Sequence, residues 1–199
     1  MTANSKVLVV GAGPAGSAAA FYLAQAGIDV LLVDKEQWPR DKVCGDGQMF
    51  HSWYIYEEMG IMEEAREAGT MLYGMKSSDV DERLVSFRSD KEYAMGTRRY
   101  VIDDIIRRAA VREGARFIEN FDVRDLIIRH GKVIGVKAFY KGQMIEEYAD
   151  LVILANGSHS MEARKLGVFN EDPETLWMGA RGYYENVRGL EDLIEFHYP

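Results

Sequence analysis

The chain has one cysteine, few prolines and no long apolar segment, and each of these shortages excludes a class of protein. Cys44 has no second cysteine with which to form an internal disulfide, which favours a reducing compartment such as the cytoplasm. The 19 glycines and 4 prolines among 199 residues are too few for a collagen-like or low-complexity chain. With 47% hydrophobic and 28% charged residues, the composition is that of an ordinary globular protein with a sizeable core.

No apolar run approaches the roughly 20 residues that a membrane-spanning helix needs, and the first residues, MTANSK, contain no hydrophobic segment of a signal peptide. We therefore expect a cytoplasmic protein with at most peripheral membrane contact. The 24 basic and 32 acidic residues give a formal net charge of -8, which argues against a nucleic-acid partner. The four histidines show no metal-ligand spacing with one another or with Cys44, so we expect no metal site.

The first 33 residues predict a strand, a helix and a second strand. Residues 6–10 are a β-branched run typical of a buried parallel strand, and residues 30–33 are a second such run. Between them, the small and apolar residues 15–25 predict a helix that packs closely on a sheet and ends at Gly27. A strand, a helix and a strand within about 30 residues form a right-handed βαβ unit.

The rest of the chain mixes further helices with strands. Residues 34–52 are polar and glycine-rich, which predicts a long loop. Helices are expected at 53–68, with a core-facing stripe of Trp53, Tyr56, Met59 and Met62, and at 100–113, ending at Gly114. The expected strands lie within 71–95, at 116–119, in an antiparallel meander at 123–129, 133–140 and 144–148, at 151–154, and in a further sheet at 177–186 and 193–198.

The turn after the first strand carries the pattern G-x-G-x-x-G at Gly11, Gly13 and Gly16. In a dinucleotide site the first glycine permits the tight turn, the second lets the backbone approach a pyrophosphate, and the third lets helix and strand pack closely. Asp34 follows 23 residues after Gly11, where a carboxylate can accept hydrogen bonds from ribose hydroxyls. The alternatives are a plain tight turn and a solvated carboxylate. Together the two features predict an adenine dinucleotide site, without separating FAD from NAD.

A longer set of segments resembles one family of flavoproteins. Residues 39–47, PRDKVCGDG, resemble the loop of the geranylgeranyl reductase family, which is related to aromatic hydroxylases of the p-hydroxybenzoate hydroxylase type. Residues 99–103, RYVID, resemble the family's R-x-x-F-D helix start, and residues 152–160, VILANGSHS, resemble its I-x-A-D-G-x-x-S strand and turn. The family includes prenyl-lipid reductases that act on chlorophyll side chains, archaeal lipids and menaquinone. The resemblance runs from residue 6 to about residue 168.

The resemblance implies that FAD is the cofactor and that Cys44, beside the flavin, is the catalytic residue. The cofactor-binding residues that we expect are Gly11, Gly13, Pro14, Ala15, Gly16, Asp34, Lys35, Arg40, Cys44, Gly45, Arg99, Val123, Asn156 and Gly157.

Several of these residues have simpler alternative interpretations. Arg40 and Lys42 suit a pyrophosphate or a substrate headgroup, or are a solvated charge pair. Arg99 lies along the cofactor in the family, or pairs with Asp103 across one helical turn. Cys44 can also be a merely packed thiol. Asn156, which replaces the usual aspartate of the family, can form an ordinary β-turn with the glycine that follows it.

The expected fold is of the α/β class, a three-layer FAD/NAD(P)-binding Rossmann-like domain with a parallel sheet and a β-meander, at residues 1–70 and 98–168. Residues 71–97 and 169–199 are expected to form part of an antiparallel substrate-domain sheet. The family's last FAD motif, G-D-A-A-G, is absent, so we interpret the chain as an N-terminal part of the family fold. Apolar edges left on an incomplete sheet favour a homodimer.

The resemblance implies an FAD-dependent oxidoreductase that reduces prenyl double bonds of a lipid or isoprenoid in lipid biosynthesis. Its partners would be a prenyl or other apolar substrate and an electron donor such as NAD(P)H or ferredoxin. Two alternatives remain open: an FAD-dependent monooxygenase or halogenase of the same fold, and a non-catalytic dinucleotide-binding fragment.

Overall fold

The computed structural model describes residues 5–81, 83–168, 174 and 178–198. The chain divides into two compact units, the first containing Met1–Arg40 and Asp103–Trp177, the second Asp41–Ile102 and Met178–Pro199. The strands are β1 Ser5–Val10, β2 Val30–Val33, β3 Gly47–Met49, β4 Thr70–Leu72, β5 Gly74–Ser78, β6 Leu84–Arg88, β7 Ala94–Gly96, β8 Arg116–Ile118, β9 Asp122–Arg129, β10 Lys132–Tyr140, β11 Gln143–Leu154 and β12 Ile194–His197. The helices are α1 Pro14–Gln25, α2 Trp53–Glu58, α3 Met62–Ala68, α4 Arg99–Glu113 and α5 Met161–Lys165.

The first unit is built on a six-stranded sheet in the order β8-β2-β1-β11-β10-β9. The strands β8, β2, β1 and the second half of β11 are parallel, and Val10 is paired with both Val33 and Leu154. The carboxyl ends of three strands therefore meet at one edge of the sheet. Strand β2 is buried along its whole length, as expected of a strand covered on both faces.

Strand β11 joins the parallel sheet to the antiparallel meander. Its first half pairs antiparallel with β10, and its second half, from Ala149 onward, pairs parallel with β1. The prediction of two separate strands at 144–148 and 151–154 is therefore wrong. No glycine or proline interrupts the chain between them, so the strand continues from one sheet partner to the next.

The core of the first unit lies between the parallel sheet and the meander. Alternate side chains of β1 and β2 pack against the residues that the meander buries, and the members of this cluster are Leu8, Val10, Leu31, Val33, Phe121, Leu126, Val136, Ala138 and Ala149. Helix α1 packs against β1 and β2 and buries Ala20 and Phe21. The predicted α/β fold with a parallel sheet and a β-meander is confirmed.

The second unit contains two three-stranded sheets, β12-β5-β6 and β3-β7-β4, where a single partial sheet was expected. Both β3 and β4 pair with β7, and this pairing groups residues 41–70 with the second unit, whereas the sequence assigned them to the nucleotide-binding domain. The pairing of β12 with β5 is parallel, and the other pairings are antiparallel. All five residues of β6 are exposed, including Leu84, Val85 and Phe87.

Three local predictions for the second unit need correction. The helix expected at 53–68 is two helices, because Gly60 adopts φ +66 and ends α2. The predicted loop at 34–52 contains β3 and a 3₁₀ turn, Phe50–Ser52. The strand expected at 177–186 is absent from residues 178–186, and Trp177 lies outside the described residues.

The predicted core stripe is confirmed at Tyr56, Met59 and Met62, which are buried, while Trp53 is half-buried. In the described part of the chain, no helix has the length and apolar character needed to cross a membrane.

Candidate functional site

The glycine turn between β1 and α1 is held in place by the neighbouring strands. The Gly11 N–H donates to the Val33 carbonyl at 2.8 Å, and Gly11 adopts φ +100. A Cβ on Gly11 would lie 2.5 Å from the Ala155 oxygen, and one on Gly16 would overlap the Gly11 carbonyl oxygen. The first and third glycines are therefore required by the fold itself.

Gly13 differs from its two neighbours because the fold does not require a glycine there. Its backbone is extended, at φ -63, and a Cβ would meet only the Arg40 Nη2 atom, at 3.4 Å. Gly13 is the N-cap of α1, which begins with Pro14, has no side-chain cap and has no acidic residue in its first turn. The helix N-terminus and Arg40 therefore offer positive charge beside open backbone, which suits an anionic pyrophosphate.

Asp34 follows β2 directly and is bonded to the glycine turn. Its Oδ2 accepts from the Ala12 N–H at 2.7 Å, its Oδ1 accepts from the Glu36 N–H at 2.9 Å, and the residue is 9% exposed. The solvated-carboxylate interpretation is therefore wrong. An ionised carboxylate can accept about four hydrogen bonds, so capacity remains for a ribose hydroxyl. Lys35, by contrast, is exposed and pairs with Glu36 at 3.8 Å.

Arg40 and Lys42, paired in the sequence prediction, have different surroundings. The Arg40 Nη1 lies 2.7 Å from Asp103 Oδ2, and the two side chains are 14% and 0% exposed. The Arg40 guanidinium also lies over the Trp38 ring, 4.6 Å from its centre. Arg40 is thus fixed near Gly13, while Lys42 is exposed. Asp103, which the sequence offered only as a partner of Arg99, is a buried partner of Arg40.

Asn156 and Gly157 follow β11 and lie at the same sheet edge as the glycine turn. A Cβ on Gly11 would lie 2.7 Å from the Asn156 Cα, so the two backbones are in contact. Gly157 adopts φ +78 and begins a 3₁₀ turn, Gly157–His159. The Asn156 Nδ2 donates to Glu162 Oε2 at 2.7 Å. Val123 lies in β9, two residues after Phe121, whose N–H donates to the Asp34 carbonyl at 2.8 Å, and it packs against the core of the first unit.

In the second unit, the loop at residues 41–47 is organised around Asp46. Its backbone adopts φ +59, and its carbonyl accepts from the Thr97 N–H at 2.9 Å. Its carboxylate accepts from the Arg99 N–H at 3.2 Å, at the start of α4, and from the Tyr183 hydroxyl at 2.6 Å. The predicted site residue Cys44 is half-buried in this loop, and Gly45 is exposed.

Arg181 and Tyr183 hold this loop, and neither was predicted as a site residue. Arg181 donates to the Lys42 carbonyl at 2.8 Å and to Asp41 Oδ2 at 2.5 Å. Its guanidinium lies 4.5 Å from the centre of the Tyr183 ring, and that of Arg98 lies 4.6 Å from it. The hydrogen bond to Asp46 raises the pKa of Tyr183, so the phenol keeps its proton as a donor.

The first unit has the features of a dinucleotide-binding domain: a glycine turn at the carboxyl edge of a parallel sheet, a helix N-terminus and a carboxylate after the second strand. Residues 4–191 match the profile of the family described as "FAD binding domain". The chain belongs to this family, and its cofactor is FAD.

Two relatives illustrate the similarity. Menaquinone reductase of Mycobacterium tuberculosis is 33% identical over 199 residues, covering 98% of this chain and 48% of the relative. Digeranylgeranylglycerophospholipid reductase of Methanothrix thermoacetophila is 34% identical over 166 residues, covering 81% of this chain and 41% of the relative. The chain therefore spans about half the length of these relatives.

Two solved structures of flavoproteins have a similar fold. A geranylgeranyl bacteriochlorophyll reductase-like protein of Thermoplasma acidophilum has a TM-score of 0.71 and 27% identity, with 82% of this chain and 42% of that chain covered. A flavin-dependent brominase has a TM-score of 0.73 and 26% identity, with 81% and 40% covered. The predicted resemblance to the geranylgeranyl reductase family is confirmed.

Proposed function

We propose that this chain is the FAD-binding part of a flavin-dependent reductase that saturates the prenyl double bonds of an isoprenoid lipid. The observation that carries the proposal is the 34% identity to a digeranylgeranylglycerophospholipid reductase, whose substrate carries geranylgeranyl chains. The identity to a menaquinone reductase over nearly the whole chain supports a reductase. The partners proposed are an apolar prenyl substrate and an electron donor such as NAD(P)H or ferredoxin.

The first unit supplies the residues that would hold the adenine half of FAD. The open backbone at Gly13, the first turn of α1 and the fixed guanidinium of Arg40 would bind the pyrophosphate. Asp34, whose position is fixed by its bond to Ala12, would accept from the ribose hydroxyls. These residues bind and orient the cofactor, and they take no part in the bond changes.

The proposed chemistry adds one hydride and one proton across a carbon–carbon double bond. The chemistry that FAD would supply when bound and reduced is the hydride, and the electron donor would provide the electrons for it. We assign the proton to the Cys44 thiol, which would lose it from Sγ and regain one from water. The bonds from Arg181 and Tyr183 would keep the loop that carries Cys44 in a single conformation.

The similarity to a flavin-dependent brominase favours a second candidate, an oxygen-dependent monooxygenase or halogenase. The two candidates differ in their need for oxygen. A prenyl reductase turns over without oxygen, whereas a monooxygenase or halogenase consumes it together with the electron donor.

The test uses the protein expressed from its own gene and loaded with FAD. Under anaerobic conditions, with a chemical reductant and digeranylgeranylglycerophospholipid, we expect products that have gained pairs of hydrogen atoms, measured by mass spectrometry. The Cys44→Ser variant should bind FAD normally and reduce the lipid more slowly, because a hydroxyl is a much weaker acid than a thiol. Oxygen-dependent turnover with no anaerobic product would favour the second candidate. A parental rate in the Cys44→Ser variant would remove the proton-donor role.

A further inference from the structure

The side-chain oxygen of Asn156 is buried and accepts no hydrogen bond from the described residues. The nitrogen of the same amide is satisfied, since it donates to Glu162 Oε2 at 2.7 Å. A buried acceptor without a donor costs free energy, and native proteins leave few such atoms unpaired unless a ligand or water completes them. A ligand or a water molecule would therefore have to supply the donor to this oxygen.

Glu162 determines which end of the amide is left unpaired. It lies in the first turn of α5 and is only 3% exposed. The helix is fixed there by Ser160, whose Oγ accepts from the Ala163 N–H at 3.1 Å. An ionised carboxylate can only accept hydrogen bonds, so it must face the NH₂ group of Asn156. Reversing the amide would place two acceptors against each other, and the oxygen is therefore held pointing away from Glu162.

The position of Asn156 connects this pair to the glycine turn. The Ala155 N–H donates to the Val10 carbonyl at 2.8 Å, and the Asn156 Cα lies against Gly11. The unpaired oxygen thus belongs to a residue at the edge of the sheet where the turn begins. FAD offers hydroxyl and N–H donors that such an acceptor can bind.

We propose that Glu162 is a positioning residue of the FAD site, which holds the Asn156 amide with its oxygen as an acceptor for a hydroxyl or N–H group of bound FAD. The inference rests on the proposed placement of FAD at this turn. It also explains why an asparagine, and not the aspartate of the resembling family, stands at position 156. An aspartate there would place two carboxylates in hydrogen-bonding contact, and both could not be ionised without a large cost.

The test is a double-mutant cycle with Asn156→Asp, Glu162→Gln and the double variant, measured as FAD dissociation constants by flavin fluorescence. We expect Asn156→Asp alone to weaken FAD binding roughly ten-fold, through like-charge repulsion and a disturbed acceptor. Glu162→Gln alone should weaken binding about three-fold, because a glutamine amide also permits the reversed orientation. In the double variant, the glutamine NH₂ can donate to the introduced carboxylate, so affinity should return to within about three-fold of the parent.

The unfolding free energy of each FAD-free variant is measured alongside, with Glu113→Gln, an exposed glutamate at the end of α4, as the matched control for charge removal. If Glu162 has a purely structural role, its variant lowers the unfolding free energy, and Asn156→Asp weakens FAD binding both in the parent and in the Glu162→Gln background. If Asn156→Asp alone does not fold, the comparison of the double variant with Glu162→Gln still decides. A double variant that binds FAD more weakly than Glu162→Gln overturns the proposal. A parental chain that does not bind FAD overturns both this inference and the proposed function.

Discussion

Substituting each glycine of the turn with alanine should separate its structural role from its role in binding FAD. At Gly13 the added Cβ meets only a flexible Arg40 nitrogen at 3.4 Å, and φ is -63, so the fold accepts alanine. At Gly11 the φ of +100 alone costs about 1–2 kcal/mol, and the Cβ lies 2.5 Å from a backbone oxygen. Gly16→Ala would force backbone atoms apart in the same way.

The expected result is therefore a stable Gly13→Ala protein that has lost affinity for FAD. The methyl group occupies the space from which a pyrophosphate would approach the backbone, and the loss of charge-assisted hydrogen bonds is worth about 1.5–3 kcal/mol, or roughly 10- to 100-fold in Kd. Gly11→Ala and Gly16→Ala should instead lower the unfolding free energy of the FAD-free protein. Denaturant unfolding and FAD titration measure the two effects separately.

Gly179→Ala is the matched control, because a Cβ there meets no atom within 4 Å. It should change neither stability nor affinity. If Gly13→Ala binds FAD as tightly as the parent, the space above Gly13 is not the pyrophosphate site.

Three further predictions concern charged side chains. Asp34→Ala should lower the unfolding free energy of the FAD-free protein by about 1–3 kcal/mol, because it leaves the buried Ala12 N–H without its acceptor, and it should also weaken FAD binding. Arg40→Met should cost about 3 kcal/mol of stability, as expected when one partner of a buried ion pair is removed, whereas Lys42→Met should cost almost nothing. Burial raises the pKa of Glu147 above its ordinary value of 4.5, so Glu147→Gln should stabilise the protein at neutral pH.

The sign of the Glu147 prediction follows from proton linkage. The folded state holds this proton more tightly than the unfolded state, so ionisation costs stability as the pH rises through and above the unfolded value. The gain from Glu147→Gln should therefore shrink as the pH falls towards 4.5. A gain in unfolding free energy that stays constant with pH would contradict this prediction. Unchanged stability in Asp34→Ala, or equal effects of Arg40→Met and Lys42→Met, would contradict the other two predictions.

Local patterns were enough to predict the parallel part of the fold. Strand β2 was predicted at its observed bounds, and α1 and α4 begin within one residue of the prediction, because apolar periodicity and glycine stops are encoded within each segment. The join of two predicted strands into β11 was missed, since a strand that changes partners shows no break in its own sequence. The strand predicted at 178–186 did not form because Arg181 and Tyr183 bond to a loop about 140 residues earlier in the chain. No pattern within the segment shows such a long-range contact.

In the candidate site, too, only the parts that form a local motif were predictable. The glycine turn and Asp34 form a local motif with a fixed spacing, and the structure brings them together. The Arg40–Asp103 and Asn156–Glu162 pairs were not predictable in this way. Which carboxylate faces which donor depends on how loops and helices meet in three dimensions, and no spacing rule states it.

We propose that the glycine turn of the first unit binds the adenine half of FAD. A competition titration tests this placement: ADP or FMN is added to the FAD-loaded chain, and the FAD that stays bound is separated from free nucleotide and quantified, in the parent and in Gly13→Ala. ADP should displace FAD from the parent, FMN should do so poorly, and Gly13→Ala should lose affinity for ADP and FAD together. Displacement by FMN but not by ADP, or an ADP affinity that is unchanged in Gly13→Ala, would contradict this placement.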